Sequence, residues 1–386
     1  MLISSGINSS RNTALDGLRG IAIIAVILCH GSILGPNQTE SSFAHAVLAV
    51  FDFGWAGVDL FFVLSGFLIT EIILSTRKNE GWMKSFFIKR VFRILPIYFL
   101  FLILLLALSV TALTERNDFA FLREHQPYFW LMAQNFLTLI NMDWPPSLFY
   151  SGHLWTLAVE WQFYMIWPFI AGRYSHKTIM VICFLVIVIA IISRMILWQQ
   201  NVHISVIYTI TLTRMDSIAI GALVAVLLRS NIERSILKKA SHTFVFIGIV
   251  FILGTFFFYG RASYYIPVMY TIGYTVLALC FAGLVIQAVI TTEQTTLRTL
   301  LSNRLLTTIG KYSYAMYIVH LPLMSYFGNF EMAFAGSAFY GQLVYLPAMF
   351  LVTLLIASAS WKIIEAPALS FARTRAAALS SGAMGT

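Results

Sequence analysis

Charged side chains are scarce in this sequence. Asp, Glu, Lys and Arg make up only 11% of the 386 residues, and 59% of the residues are hydrophobic. Soluble domains carry about 25% charged and roughly 45–50% apolar residues. A soluble fold of this size is therefore excluded, because its surface would have too few polar groups to face water.

Cysteine is scarce as well. Cys29, Cys183 and Cys280 lie inside apolar runs at unrelated spacings, which excludes a disulfide framework and a cysteine-based metal motif. We predict that they pack in the core and that the protein holds no metal. The net charge of +9 comes from short basic clusters between apolar runs, so it does not indicate a nucleic-acid partner.

Long apolar runs are abundant. A helix needs about 17–25 mostly apolar residues to cross the hydrocarbon core of a membrane. One shorter apolar stretch, 128–140, contains Gln134 and Asn135, and we expect it to be a re-entrant or interfacial segment. Ten other stretches predict an all-α, polytopic bundle of transmembrane helices: 18–34, 47–74, 86–110, 154–170, 179–198, 206–228, 244–259, 266–290, 309–327 and 340–364.

The distribution of basic residues predicts the topology. With ten spans and a cytoplasmic N-terminus, 20 Lys and Arg residues fall on the inside and three on the outside. If 128–140 also crossed the membrane, 9 Lys and Arg residues would lie inside and 14 outside, which violates the positive-inside rule. We therefore expect a multi-pass membrane protein that contacts lipids, with both termini cytoplasmic. Residues 1–370 would form one membrane domain and 371–386 a short disordered tail, with no fused soluble domain.

Ionisable side chains within the first two spans are candidates for function, because they are costly in a membrane. Arg19 and His30 are eleven residues apart, so they share one helix face about 16 Å apart along the axis. Asp59 lies in the second span, with Ser65 deeper in the same helix. A structural alternative for the first pair is a snorkelling arginine and a histidine bonded to a carbonyl.

Two further spans carry candidate residues. Arg90 and Arg93 share a face at the cytoplasmic end of the third span and could bind phosphate, although a simple positive-inside anchor is the alternative. In the fourth span His153 and Glu160 are seven residues apart, and Tyr164 follows Glu160 by four. This predicts a polar, titratable face.

Later spans add two more groups. Arg214 and Asp216 are two residues apart, so they point to different sides and should find partners on other helices. Ser313, Tyr317 and His320 share one face of the ninth span.

The candidate charges are divided across the membrane. Arg19, Arg90 and Arg93 lie toward the cytoplasm, whereas His30 and several acids lie toward the outside. This division suits a phosphorylated cytosolic donor and an acceptor that arrives from outside. Histidine is a plausible general base, and a carboxylate, Asp59 or Glu160, could orient it.

Six segments, in this order and spacing, resemble the membrane acyltransferase family 3, and the similarity covers residues 14–367. The resemblance implies transfer of an acyl group, usually acetyl, from cytoplasmic acyl-CoA to a hydroxyl of a cell-surface or lipid-linked glycan. Some members carry a fused SGNH-type domain, which we do not expect here. The segments are 15–20 with His30, 57–67, Arg90 with Arg93, 153–164, 214–216, and 310–314 with His320.

The leading hypothesis is an O-acetyltransferase with acetyl-CoA as donor substrate, no permanently bound cofactor, and a surface polysaccharide, lipopolysaccharide or lipid-linked glycan as acceptor. The arginines Arg19, Arg90 and Arg93 would bind the coenzyme phosphates. His30 would take the proton of the acceptor hydroxyl, positioned by Asp59 or Glu160. Direct transfer is favoured over an acyl-enzyme on His30 or Ser65. Further candidate site residues are His153, Tyr164, Arg214, Asp216 and His320.

Two functions of other classes remain open. A proton-coupled secondary transporter would also bury acids, histidines and arginines, and it would move solute in liposomes without acetyl-CoA. A non-catalytic assembly or sensor protein would keep its function when His30 and Glu160 are replaced.

Overall fold

A computed structural model describes residues 12–32, 42–110, 117–145, 151–291, 295–327 and 338–380. Within these ranges the chain forms helices joined by turns, and no strand occurs. The predicted all-α class is confirmed.

The α-helices are numbered in chain order. The first seven are α1 (Thr13–Gly31), α2 (Ser42–Asp52), α3 (Gly57–Thr76), α4 (Trp82–Leu108), α5 (Asn117–Glu124), α6 (Gln126–Trp130) and α7 (Leu137–Asn141). The next five are α8 (Trp155–Ala171), α9 (His176–Gln199), α10 (Ile204–Thr209), α11 (Thr211–Leu228) and α12 (Arg234–Tyr259). The last five are α13 (Tyr274–Ile290), α14 (Thr296–Leu301), α15 (Arg304–Phe327), α16 (Ala338–Ser360) and α17 (Ala366–Ser380).

Eight helical segments in the described ranges are long and apolar enough to cross a membrane. They coincide with eight of the ten predicted spans: Thr13–Gly31, Ser42–Thr76, Trp82–Leu108, His176–Gln199, Ile204–Leu228, Arg234–Tyr259, Met269–Ile290 and Gly341–Ala378. The other two predicted spans are also helices. Helix α8 has 17 residues, and α15 has 24 residues but carries more polar side chains.

The stretch 128–140 does not form a continuous helix. Helix α6 ends at Trp130, a 3₁₀ turn covers Gln134–Phe136, and α7 has only five residues. A transmembrane helix needs about 17 residues or more, so none of these pieces can cross a membrane. This agrees with the predicted re-entrant or interfacial segment.

The C-terminal segment differs from the prediction. We expected residues after 370 to be disordered, but α17 continues as a helix to Ser380. Its alanines allow close packing on α4, and Ala372 and Ala376 are buried. The ring of Phe371 lies 5.1 Å from that of Phe92. The sequence is small and polar enough to resemble a tail, but alanine is also the best helix former.

Glycines bring α1 and α15 into backbone contact. A Cβ added at Gly310 of α15 would overlap the carbonyl oxygen of Asp16, and one added at Gly20 of α1 would overlap that of Leu306. Small residues allow this approach, which is a common packing mode in membranes. The contact holds the Arg19 and His30 face of α1 against α15.

Helices α3 and α11 cross in the same way. A Cβ at Gly66 would overlap the carbonyl oxygen of Ile218, and a Cβ at Gly221 would overlap that of Val63. The two glycines therefore face each other's helix backbone. This crossing fixes the position of Ser65, which precedes Gly66.

We predict that Gly221→Ala destabilises the fold by about 1–3 kcal/mol, because the added methyl group must push the two helices apart. Gly254→Ala in α12 is the matched control, since no atom lies within 4 Å of its added Cβ. The measurement is the free energy of unfolding in detergent. Equal stabilities of the two variants would contradict the close crossing.

Candidate active site

A pocket with a volume of about 90 Å³ lies between helices α1, α3, α4, α8 and α15. Its charged lining residues are Arg19, Arg90, Arg93 and Glu160, and apolar side chains of α3 form much of the wall. By the volume that one water needs, the space holds several water molecules or a small acyl group.

Two of the arginines share one helix face, as predicted. Arg90 and Arg93 both line the pocket because they are three residues apart on α4. The Arg90 guanidinium lies 6.0 Å from the ring centre of Tyr164 and 5.8 Å from that of Phe86. Arg19 is held by an ion pair with Asp16, at 3.4 Å one turn earlier on α1. The pocket thus collects three guanidinium groups from two helices.

A chain of hydrogen bonds crosses the pocket. Tyr164 donates its hydroxyl proton to Glu160 Oε2 at 3.3 Å, and Ser65 Oγ is hydrogen-bonded to Tyr164 Oη. A tyrosine hydroxyl has one proton, so Ser65 donates to Tyr164 in this arrangement. The Ser65 hydroxyl is therefore linked to the Glu160 carboxylate through one tyrosine.

Three histidines form a cluster that adjoins this pocket. His30 Nδ1 lies 2.9 Å from His320 Nε2, and the two rings are inclined by 27° with centres 5.1 Å apart. The His153 ring lies edge-on to the His320 ring, also at 5.1 Å. His153 and His320 are buried, whereas His30 is exposed. His30 is therefore the member of the cluster whose side chain is open to the surroundings.

A proline in α15 explains how His153 is held. Pro322 has no backbone N–H, so the carbonyl of Ile318, four residues earlier, has no helical partner. His153 Nε2 donates to that oxygen at 3.0 Å. The proline thus leaves an acceptor for the histidine of the neighbouring segment.

Tyr317 lies between the pocket and the histidine cluster. It lines the pocket, and its ring centre is 5.4 Å from that of His153 and 5.5 Å from that of His320. Its hydroxyl accepts from Thr156 Oγ1 at 2.7 Å and donates to the His153 carbonyl at 3.0 Å. The arginine-lined pocket and the histidines are therefore separated by one side chain.

Asp59 belongs to a different group of charges. Its carboxylate accepts from Arg214 at 2.9 Å and from Ser217 at 2.8 Å. Asp216 accepts from Arg194 at 2.9 Å. The side chains of both ion pairs are fully buried. The expectation that Arg214 and Asp216 find partners on other helices is confirmed.

The expected contact of His30 with a carboxylate is not what the structure shows. His320 is the hydrogen-bond partner of His30 within the described residues, Asp59 pairs with Arg214, and Glu160 lies in the pocket. Helix periodicity gives the face of each residue, but it does not give which helices meet. This is why spacing alone could not predict the hydrogen-bond partner of His30.

Aromatic rings surround the Arg214 guanidinium, a feature that the sequence did not indicate. Ring centres lie within 4.0–5.8 Å, which is the range of cation–π attraction. What the sequence did show of these buried ion pairs was that several charged residues, including Arg194, lie within predicted spans. The four rings belong to Tyr274, Tyr208, Trp155 and Phe62.

Comparison with known proteins gives the family. The model of a family described as an acyltransferase domain matches residues 12–362, nearly the whole chain. The chain belongs to membrane acyltransferase family 3. No solved structure matches it.

Two curated relatives of this acyltransferase are similar over most of its length. The peptidoglycan O-acetyltransferase OatA of Listeria monocytogenes is 29% identical over 81% of this chain and 49% of its own length. The O-acetyltransferase OatA of Staphylococcus aureus is 27% identical over 92% of this chain and 56% of its own length. The chain thus spans about half the length of the relatives it matches.

The six segments that resemble the acyltransferase family meet in space. Five of them supply residues of the pocket, and three of these five, those with His30, His153 and His320, also supply the histidine cluster. The sixth, 214–216, lies in the buried ion-pair network. The family motif therefore combines one polar site with one group of charges that joins helices.

We predict that Asp59→Asn destabilises this acyltransferase by about 3–5 kcal/mol, because it leaves the buried Arg214 charge without a counter-ion. The double variant Asp59→Leu/Arg214→Met should recover much of that loss, since it removes both charges. Unfolding in detergent measures both effects, with the exposed Glu80→Gln as control. A stable but inactive Asp59→Asn protein would instead support a direct role in catalysis.

Proposed function

We propose that this protein is a membrane O-acetyltransferase that moves an acetyl group from acetyl-CoA in the cytoplasm to a hydroxyl of an extracytoplasmic saccharide. The observation that carries the proposal is the pair of adjoining sites. A pocket with three arginines lies on one side of Tyr317, and a histidine cluster that ends in the exposed His30 lies on the other.

The arginine pocket suits the donor. Guanidinium groups bind phosphate through paired hydrogen bonds, and a coenzyme A thioester carries several phosphates. The pocket is too small for a whole coenzyme, so we assign it to phosphate groups of the coenzyme, with the rest of the nucleotide toward the cytoplasm and the acyl-bearing arm toward Tyr317.

The histidine cluster suits the acceptor. His30 takes the proton of the acceptor hydroxyl while its oxygen attacks the thioester carbonyl. A C–O bond forms, the C–S bond breaks, and the thiol of coenzyme A leaves with a proton. Direct transfer requires the Tyr317 side chain to move aside. The alternative is an acyl-enzyme intermediate on Ser65, whose hydroxyl is linked to Glu160 through Tyr164.

Relatives support the choice of acceptor. Two of them are named as O-acetyltransferases, and the name of one specifies peptidoglycan. We propose a cell-wall glycan or its lipid-linked precursor as acceptor, with the protein in a bacterial plasma membrane. Both termini and the three arginines would face the cytoplasm, as the positive-inside rule predicts.

Labelled acetyl-CoA tests the proposal. Membranes that contain the wild-type protein should transfer the label to a glycan, and His30→Ala should lower the rate by about 100-fold or more, because the general base is lost. His242→Ala, at an exposed position on α12, should transfer label like the wild type. Full activity of His30→Ala would contradict the role of His30, and no label transfer by the wild type would contradict the function.

The donor pocket makes a second prediction. Arg93→Ala should raise the KM for acetyl-CoA by about tenfold or more, since one charge-assisted hydrogen bond contributes about 1.5–3 kcal/mol. Lys89→Ala is the matched control, because Lys89 belongs to the same basic cluster but is exposed. Initial rates at varied acetyl-CoA measure the effect. An unchanged KM in Arg93→Ala would contradict the assignment of the pocket to the donor.

A further inference from the structure

We propose that His320 is the positioning residue of His30: it fixes the tautomer of the His30 ring, so that Nε2 is the nitrogen that accepts the proton of the acceptor hydroxyl. This inference rests on the proposed function, because it concerns the same reaction. It replaces the carboxylate that histidine bases often use with an uncharged imidazole.

The first step concerns the protonation of His320. Its Nδ1 lies 2.7 Å from the carbonyl oxygen of Tyr317 and 3.2 Å from that of Met316. A carbonyl oxygen only accepts hydrogen bonds, so Nδ1 carries the hydrogen. In a neutral ring the other nitrogen, Nε2, then holds the lone pair.

The second step transfers this constraint to His30. His30 Nδ1 is 2.9 Å from His320 Nε2, and two lone pairs at that distance would repel. His30 must therefore donate from Nδ1, which leaves its lone pair on Nε2. Because the His30 side chain is exposed, that lone pair is available to an acceptor hydroxyl.

The opposite direction of the hydrogen bond is costly. It requires a second proton on His320, which is 0% exposed and is in ring contact with the buried His153. The nearby acids are engaged elsewhere, since Asp59 is paired with Arg214 and Glu160 accepts from Tyr164. A buried charge without a counter-ion is unfavourable, so the neutral His320 is the stable form.

The helix contact described above makes this arrangement rigid. Gly20 and Gly310 hold the backbones of α1 and α15 together, and the hydrogen bond joins the same two helices farther along. When His30 gains a proton during the reaction, its Nδ1–H bond to His320 becomes charge-assisted and shortens. His320 thus stabilises the protonated base without touching the substrate.

Two substitutions separate positioning from packing. In His320→Gln the amide oxygen can accept from His30 Nδ1, so acetyl transfer should stay within about tenfold of wild type. In His320→Phe a flat ring is kept but the acceptor is lost, so kcat should fall by about 100-fold or more. The KM for acetyl-CoA should not change in either variant, because the arginine pocket is intact.

The tautomer gives a readout that does not depend on turnover. Solid-state NMR of protein with ¹⁵N-labelled histidine should show His30 protonated at Nδ1 in the wild type and in His320→Gln. A His30 ring protonated at Nε2 would overturn the inference, as would equal kcat in His320→Phe and wild type. If the wild type transfers no acetyl group, the proposed function fails, whereas the NMR result still decides the hydrogen bond.

Discussion

The backbones of α1 and α15 touch at Gly20 and Gly310, and the rest of the candidate site depends on that contact. Arg19 and the Asp16 ion pair lie beside it, and His30 lies farther along the same helix. Any larger side chain at these glycines would separate the two helices. The hydrogen bond from His30 to His320 and the shared pocket wall would then be lost together.

Buried charges serve two different purposes in this protein. Asp59 with Arg214 and Asp216 with Arg194 are fully buried ion pairs that join helices, and aromatic rings cover one guanidinium. In the pocket, by contrast, the lining holds three guanidiniums and one carboxylate, that of Glu160, so positive charge remains in excess even though Arg19 also pairs with Asp16. A surplus suits an anionic ligand, whereas a balanced pair suits a structural role.

The sequence predicted the faces of helices well and the contacts between helices poorly. Spacing placed Arg90 and Arg93 on one face, and both line the pocket. Spacing also predicted separate partners for Arg214 and Asp216. It could not predict which residues these partners are, Asp59 and Arg194, because that depends on which helices cross. His30 and His320 are 290 residues apart, so no local pattern could join them.

One local signal in the sequence was available but not used. A proline in a helix leaves the carbonyl four residues earlier without its N–H donor, so Pro322 predicts that the Ile318 carbonyl accepts a hydrogen bond from another group. His153 fills that role. The helix at the C-terminus was missed for the opposite reason, because a composition of small residues fits both a disordered tail and an alanine-rich helix that packs closely.

In the proposed function, the arginine pocket and the histidine cluster are the two ends of one path across the membrane. Sealed inside-out vesicles test it directly, because their outer face is the cytoplasmic face and an acceptor glycan can be enclosed in their lumen. Labelled acetyl-CoA added outside should yield acetylated glycan inside, and this product should be lost in His30→Ala vesicles. Acetylation only of glycan on the same side as acetyl-CoA would contradict transfer across the membrane.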